Sequence, residues 1–169
     1  TIASRNINPL DSLVVSLTMI HGGTAFNVIP TQVTISGTVR WLMPQVQEMA
    51  QRRLLEIASG VAKAHGCEAT MDYRFGYPVT LNDPSAVDIF NTVAKSALGD
   101  DHVKHLTNPV MGAEDFSYYC HHVPSCFFVL GLIPNGKKSM PILHQPDFDF
   151  NDDAIATGVE LFCRLAMRD

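Results

Sequence analysis

His21-Gly22-Gly23-Thr24-Ala25-Phe26-Asn27-Val28-Ile29-Pro30 separates two strand-like runs and decides how the first half of the chain is organised. The adjacent glycines open backbone conformations closed to other residues and let a ligand approach the main chain. Pro30 fixes the exit of the loop and donates no hydrogen bond. Between them Asn27 carries an amide that both donates and accepts. On these residues alone the stretch reads equally as the polar tip of a hairpin or as a binding loop.

The flanking runs support a strand–loop–strand reading. Residues 12–20 are rich in aliphatic and β-branched side chains, and Leu13, Val15, Leu17 and Met19 are expected on one face. Residues 33–41 alternate cleanly: Val33, Ile35, Val39 and Trp41 point one way, Thr34, Ser36, Thr38 and Arg40 the other. Arg40 therefore falls on the wetter face of a strand that begins just past Asn27. If the strands pair, guanidinium and amide could look into one space, although a solvated strand charge gives the same pattern.

A helix is expected over residues 45–65. Val46, Ala50, Leu54, Ile57, Ala58 and Val61 form its apolar stripe, Pro44 stands near its start, and Gly66 suits a left-handed stop. Residues 69–75 alternate again and predict a third strand. Strand, strand, helix, strand suits a small sheet with helices on one face. A helix ending near Thr1 would complete a split βαβ, ferredoxin-like unit.

The character changes around residues 77–84. Asn82-Asp83-Pro84 reads as a turn and helix start, with Asp83 as cap and Pro84 in the first helical position. Val87, Phe90, Val93, Ala94 and Ala97 make the next apolar face. A short strand is expected near residues 103–106. The continuously apolar run 126–130 predicts a strand buried on both faces of a parallel-type sheet. Asn151-Asp152-Asp153 opens a last helix whose expected buried stripe is Ile155, Val159, Phe162 and Ala166. Too few elements surround 126–130 to cover both its faces, which predicts the last portion of a larger α/β sheet.

The bulk composition bounds the function. Among 169 residues, 46% are hydrophobic, enough for a packed core, and 17% are charged, too few for a disordered chain. A net charge of −5 argues against nucleic-acid binding, and the longest apolar run is too short to span a bilayer. Cys67, Cys120, Cys126 and Cys163 form no Cys-x-x-Cys pair and are expected to behave as small buried side chains, which fits a reducing, cytoplasmic setting. The chain opens Thr1-Ile2-Ala3-Ser4-Arg5 with neither an initiator methionine nor a signal-peptide pattern, so a portion of a longer polypeptide is expected.

Two further stretches could carry chemistry. Met111-Gly112-Ala113-Glu114-Asp115-Phe116-Ser117 places two acids after a glycine turn, where they either cap a short helix or line a site. Leu143-His144-Gln145-Pro146-Asp147-Phe148-Asp149-Phe150 sets one histidine in a loop before an acid-capped helix. A neutral imidazole there is a good metal ligand, though lone histidines are more often structural or solvated. His102, His105, His121 and His122 read as background, and His65 as a helix-end residue whose charge would suit that end if protonated. The sequence has no Gly-x-Ser-x-Gly, phosphate loop or His-Glu-x-x-His, and nothing in it forms a catalytic centre unaided.

Taken in order, Gly22-Gly23-Thr24-Ala25-x-Asn27-Val28-Ile29-Pro30 with Gly37-Thr38-Val39-Arg40, then Gly112-Ala113-Glu114-Asp115-Phe116, then Leu143-His144-x-Pro146-x-Phe148-Asp149-Phe150 resemble the M20 metallopeptidase family. The closest branch holds hippurate hydrolase, N-acyl-amino-acid amidohydrolases and auxin-conjugate hydrolases. Ser4-Arg5 with Pro9-Leu10-Asp11, and Gly76-Tyr77-Pro78 with Asn82-Asp83-Pro84, extend the likeness over nearly the whole chain.

The resemblance implies a ferredoxin-like (α+β) lid and dimerisation domain over residues 1–82, lacking its first part. It implies the C-terminal portion of an α/β, zinc-peptidase-like catalytic domain over residues 83–169. It implies hydrolysis of N-acyl amino acids with two divalent ions, zinc, manganese or cobalt, and a homodimer formed through the lid. His144 is implied as a metal ligand. Asn27 and Arg40 are implied to reach the substrate's carboxylate or scissile carbonyl, often in a partner subunit's site, and Glu114 to border the site. The general base, the other metal ligands and a lid histidine are implied to lie upstream of Thr1, so the isolated chain is expected to be inactive and to retain no metals. The alternatives are a non-catalytic ligand-binding or dimerising module, and a split enzyme completed by a second polypeptide.

Overall fold

The computed structural model describes residues 2–134 and 136–168. Thr1, where the ferredoxin-like reading places the end of a helix, lies outside the described residues. The chain is mixed α/β and divides into two compact units. One runs to Val79 and takes in Val110–Ala113; the other holds Thr80–Pro109 and the chain from Glu114 onward.

In the first unit a single helical turn, α1 (Ile2–Arg5), precedes β1 (Leu13–Gly22) and β2 (Val33–Trp41). The strands pair antiparallel, from Leu13↔Trp41 through Leu17↔Gly37, and the register resumes at Met19↔Ser36. Thr18 is thus an extra residue on β1, a β-bulge. Beyond it the faces of β1 exchange. Ile20, opposite Ile35, joins the face of Leu13, Val15 and Leu17, while Met19, opposite Ser36, turns to the face of Arg40. The expected grouping of Met19 with Leu17 is corrected by this one insertion, which strict alternation cannot anticipate.

Helix α2 (Pro44–Ala64) follows within two residues of β2 and packs on it. Val46 and Ala50 are buried, but Ala58 and Val61 are exposed, so the expected stripe is covered only along its first half. The stop forms as expected. Gly66 takes φ +69°, its N–H donates to the Lys63 carbonyl (3.2 Å), and the Cys67 N–H donates to that of Ala62 (2.9 Å), the paired bonds of a Schellman motif. Among the described residues, 69–75 join no ladder, which corrects the third strand. Their alternation is nonetheless real: Tyr73 and Phe75 meet edge to face with centroids 5.4 Å apart.

In the second unit α3 (Pro84–Leu98) begins as the sequence implied. The Asp83 carboxylate accepts from the Ala86 N–H at 3.0 Å and Pro84 occupies the first turn. A 3₁₀ turn (Asp100–His102), the single turn α4 (Ser117–Cys120) and α5 (Asp153–Ala166) complete it. Neither 103–106 nor 126–130 is a strand among the described residues. The second run is half-buried rather than buried on both faces, and Val129 is 67% exposed. What holds it is side-chain packing and one surrogate partner. Phe128 stacks on Phe90 of α3 (4.3 Å) and meets Phe162 of α5 (5.6 Å), while Phe127 points the other way onto Phe116 (5.3 Å). The Asn82 side chain then bonds the backbone of Phe127 as a neighbouring strand would.

Helix α5 corrects a further expectation. Ala154 and Leu161 are its buried residues, whereas Ile155, Val159 and Phe162 are more than half exposed. Both stripes are apolar, and packing buried the one that carries Ala154 and Leu161, with Gly158 between them half-buried beside Leu130. The cysteines are free thiols, and Cys67 and Cys163 are exposed rather than buried. For Cys126 burial, with a smaller push from Cys120, raises the thiol pKa and keeps it protonated. No helix among the described residues is long and apolar enough to cross a membrane.

Candidate functional site

Asn27 lies at the tip of the β1–β2 connection, in a turn where the Val28 N–H donates to the Ala25 carbonyl at 3.3 Å. Gly23 enters that connection at φ +76°. The asparagine and its neighbours Phe26 and Ile29 are all exposed, so the loop projects its polar and apolar groups outward together.

Arg40 sits at the other end of β2, opposite Val14. The loop closes at Gly22↔Val33, and seven residues at about 3.3 Å each carry Arg40 roughly 23 Å along the strand from that end. Among the described residues no hydrogen bond joins the guanidinium to the Asn27 amide. The Arg40 Nη1 donates to the Met111 carbonyl at 2.6 Å, and the guanidinium has no carboxylate partner among the described residues. Among the described residues it is bonded through one N–H, with its other donors unused.

Glu114 follows that segment. Its backbone carbonyl, rather than its carboxylate, takes the helix-start bonds: the Ser117 N–H donates at 3.2 Å and the buried Ser117 hydroxyl at 2.5 Å. The carboxylate is left exposed, not used as a cap. His144 adopts φ +71°, alone among the described non-glycine residues in having a positive φ. The Gln145 N–H donates to the Ile142 carbonyl (3.2 Å), and the Gln145 Oε1 accepts from the Ile142 N–H (2.8 Å). This double closure holds the turn and sends the imidazole into solvent in a backbone conformation that costs a non-glycine residue energy.

Two open clefts of about 380 Å³ lie in the second unit, one beside Asn82 and Cys120–His122, the other beside Lys137 and the aspartates 147, 149, 152 and 153. None of Asn27, Arg40, Glu114 or His144 lines either. Among the described residues no three His, Cys, Asp or Glu side chains stand together to hold a metal. Among the described residues a two-metal centre therefore does not assemble, and His144 belongs to no cluster of three or more such ligands.

What these residues share is order along a chain of this fold, and comparison with known proteins gives that order its meaning. Residues 6–168 match Peptidase family M20/M25/M40. The chain belongs to the M20 peptidase family. An IAA-amino acid hydrolase of Arabidopsis thaliana is 33% identical over 99% of this M20 chain and 39% of its own length. The hippurate hydrolase of Campylobacter jejuni is 30% identical over 99% of the chain and 43% of its own length. A crystal structure described as a dinuclear metal binding peptidase of the M20 family, from Bacillus subtilis, superposes with a TM-score of 0.70 at 29% identity, over 91% of this chain and 41% of that one. The M20 chain thus spans about two fifths of the relatives it matches.

Sequence reasoning missed Met111. Its contribution is a main-chain carbonyl, which every residue possesses, so no residue type could have marked it. Ser117 and Asn82 were likewise unmarked as hydrogen-bonding anchors, because their partners are backbone groups brought near by folding.

Proposed function

We propose that this M20 chain supplies the substrate grip and one metal-binding imidazole of a metal-dependent amidohydrolase that cleaves N-acyl amino acids of the hippurate type. The observation that carries the reading is Arg40: a strand cation without a carboxylate partner, fixed by one N–H to Met111 beside the Gly112-Ala113-Glu114 motif. A planar guanidinium so held keeps its other donors aligned for a substrate carboxylate, which it would bind as a fork. Asn27 would donate its amide to the scissile carbonyl. Its place at the far end of the hairpin favours service in the site of a second copy, in a homodimer formed through a ferredoxin-like lid. Glu114 would border the site, and His144 would be the ligand this chain brings to a pair of zinc, manganese or cobalt ions. The break between compact units near Val79 supports a lid over residues 1–82 and catalytic-domain residues over 83–169. The cytoplasm is the proposed compartment.

Arg40→Ala in the complete enzyme tests the reading. Loss of hydrogen bonds to a charged group costs about 1.5–3 kcal/mol, or roughly 10- to 100-fold. KM for N-acyl amino acids should rise by that factor, while the matching amides without a carboxylate change little. Equal effects on both substrates would remove the clamp. Hippurate cleavage by the isolated chain supplied with zinc, manganese or cobalt would overturn the assignment of the remaining machinery to other residues.

A further inference from the structure

Val110–Ala113 group with the sheet unit although the chain on both sides of them belongs to the other unit. Packing on the segment is uneven: Met111 is half-buried, whereas Gly112 and Ala113 are exposed and Val110 is 70% exposed. Hydrogen bonding contributes one interaction. Among the described residues, the bond from Arg40 Nη1 to the Met111 carbonyl is the sole hydrogen bond made by any of these four residues. It spans 71 positions of sequence and is charge-assisted, the stronger kind.

We infer that Arg40 is a positioning residue as well as a proposed substrate clamp: it straps the Val110–Ala113 segment to the end of the β1–β2 sheet. One donor suffices for the strap, because a guanidinium has five N–H groups. The strap exists without substrate, and it stands whether or not Arg40 also receives a carboxylate. A charged side chain on a solvent-facing strand is usually replaceable; here its charged donor rather than its bulk is what the segment uses.

Backbone ¹⁵N relaxation and carbonyl ¹³C shifts of the full 169-residue chain test this, with Arg40→Lys and Arg40→Met as the variants. Lysine keeps a donor on a flexible stem, whereas methionine keeps the apolar stem and has no donor. In wild type the Gly112 amide should show an order parameter near the rigid value of about 0.85. In Arg40→Met it should fall below about 0.6, with a displaced Met111 carbonyl resonance and unchanged values in α2. Arg40→Lys should restore most of the order. Equal order at Gly112 in wild type and Arg40→Met, or no difference between the lysine and methionine variants, would overturn the strap. Titrating N-benzoylglycine into the complete enzyme reads the clamp separately: a rigid Gly112 with no response at Arg40 retains the strap and removes the clamp.

Discussion

Gly37 stands directly against the backbone of Ser16: a methyl added to Gly37 would lie 2.1 Å from the Ser16 carbonyl oxygen and 2.9 Å from the Leu17 Cα. Gly37 is opposite Leu17, at the point where the bulge begins. The bulged strand bends toward its partner there, and only a residue without a side chain accepts the approach. Gly37 and the extra Thr18 together set which residues of β1 share the Arg40 face.

Gly37→Ala should therefore part the strands locally and destabilise the chain by about 1–3 kcal/mol, the usual range for forcing atoms into occupied space. Gly60→Ala is the contrast. That glycine is in the exposed middle of α2 with nothing within 4 Å of an added methyl, so alanine should stabilise by about 0.5–1 kcal/mol. Urea unfolding midpoints should move in opposite directions.

Asn82 bonds Phe127 from both sides: its Nδ2 donates to the Phe127 carbonyl at 2.9 Å, and its Oδ1 accepts from the Phe127 N–H at 2.7 Å. The Asp83 N–H adds a bond to the Ser125 carbonyl at 2.8 Å. Asn82→Ala removes both side-chain bonds and should cost about 1–2 kcal/mol. Asn82→Asp keeps the acceptor but faces the Phe127 carbonyl with an anion, and should recover little of the loss at neutral pH. Thermal melts of the two variants check this.

The Ser85 hydroxyl, and after it the Ala86 N–H, hold the Asp83 carboxyl below its ordinary value. A carboxylate whose folded pKa is depressed contributes stability that is present above its unfolded value and is lost as pH falls through the folded one. The α3 cap should accordingly weaken once pH drops beneath the usual carboxylate range. Asp83→Asn, a neutral cap, should lose less melting temperature between pH 6 and pH 2.5 than wild type. A parallel decline in both would detach the cap from acid sensitivity.

His144 holds φ +71°, a conformation glycine adopts without cost. His144→Gly should leave the melting temperature unchanged or raise it, by up to about 1 kcal/mol of stability, whereas His144→Val should lower it. In the complete enzyme both variants should lower metal content and rate together. Full metal stoichiometry in His144→Gly would remove the imidazole from the metal's ligands.

Much of the fold was legible because it depends on near neighbours in sequence. A pyrrolidine in the first turn, a carboxylate three residues before an open N–H, and a glycine able to take positive φ act within a few residues, so the start of α3 and the end of α2 could be read directly. The clean alternation of Val33–Trp41 likewise placed Arg40 on the polar face. The order of the motifs about Asn27, Arg40, Glu114 and His144 identified the family before any coordinate was known.

Ladder formation, face selection and anchoring were decided only in three dimensions. Residues 69–75 and 126–130 have the composition of strands, but a strand needs a partner's backbone, which their own residues do not specify. On α5 two apolar stripes compete, and the neighbours it packs against, α3 among them, settle the choice. The bulge at Thr18 and the reach of Arg40 to Met111 are relations between distant backbones. Side-chain pattern records what each residue can offer; which main-chain group it meets depends on where the rest of the chain has been packed.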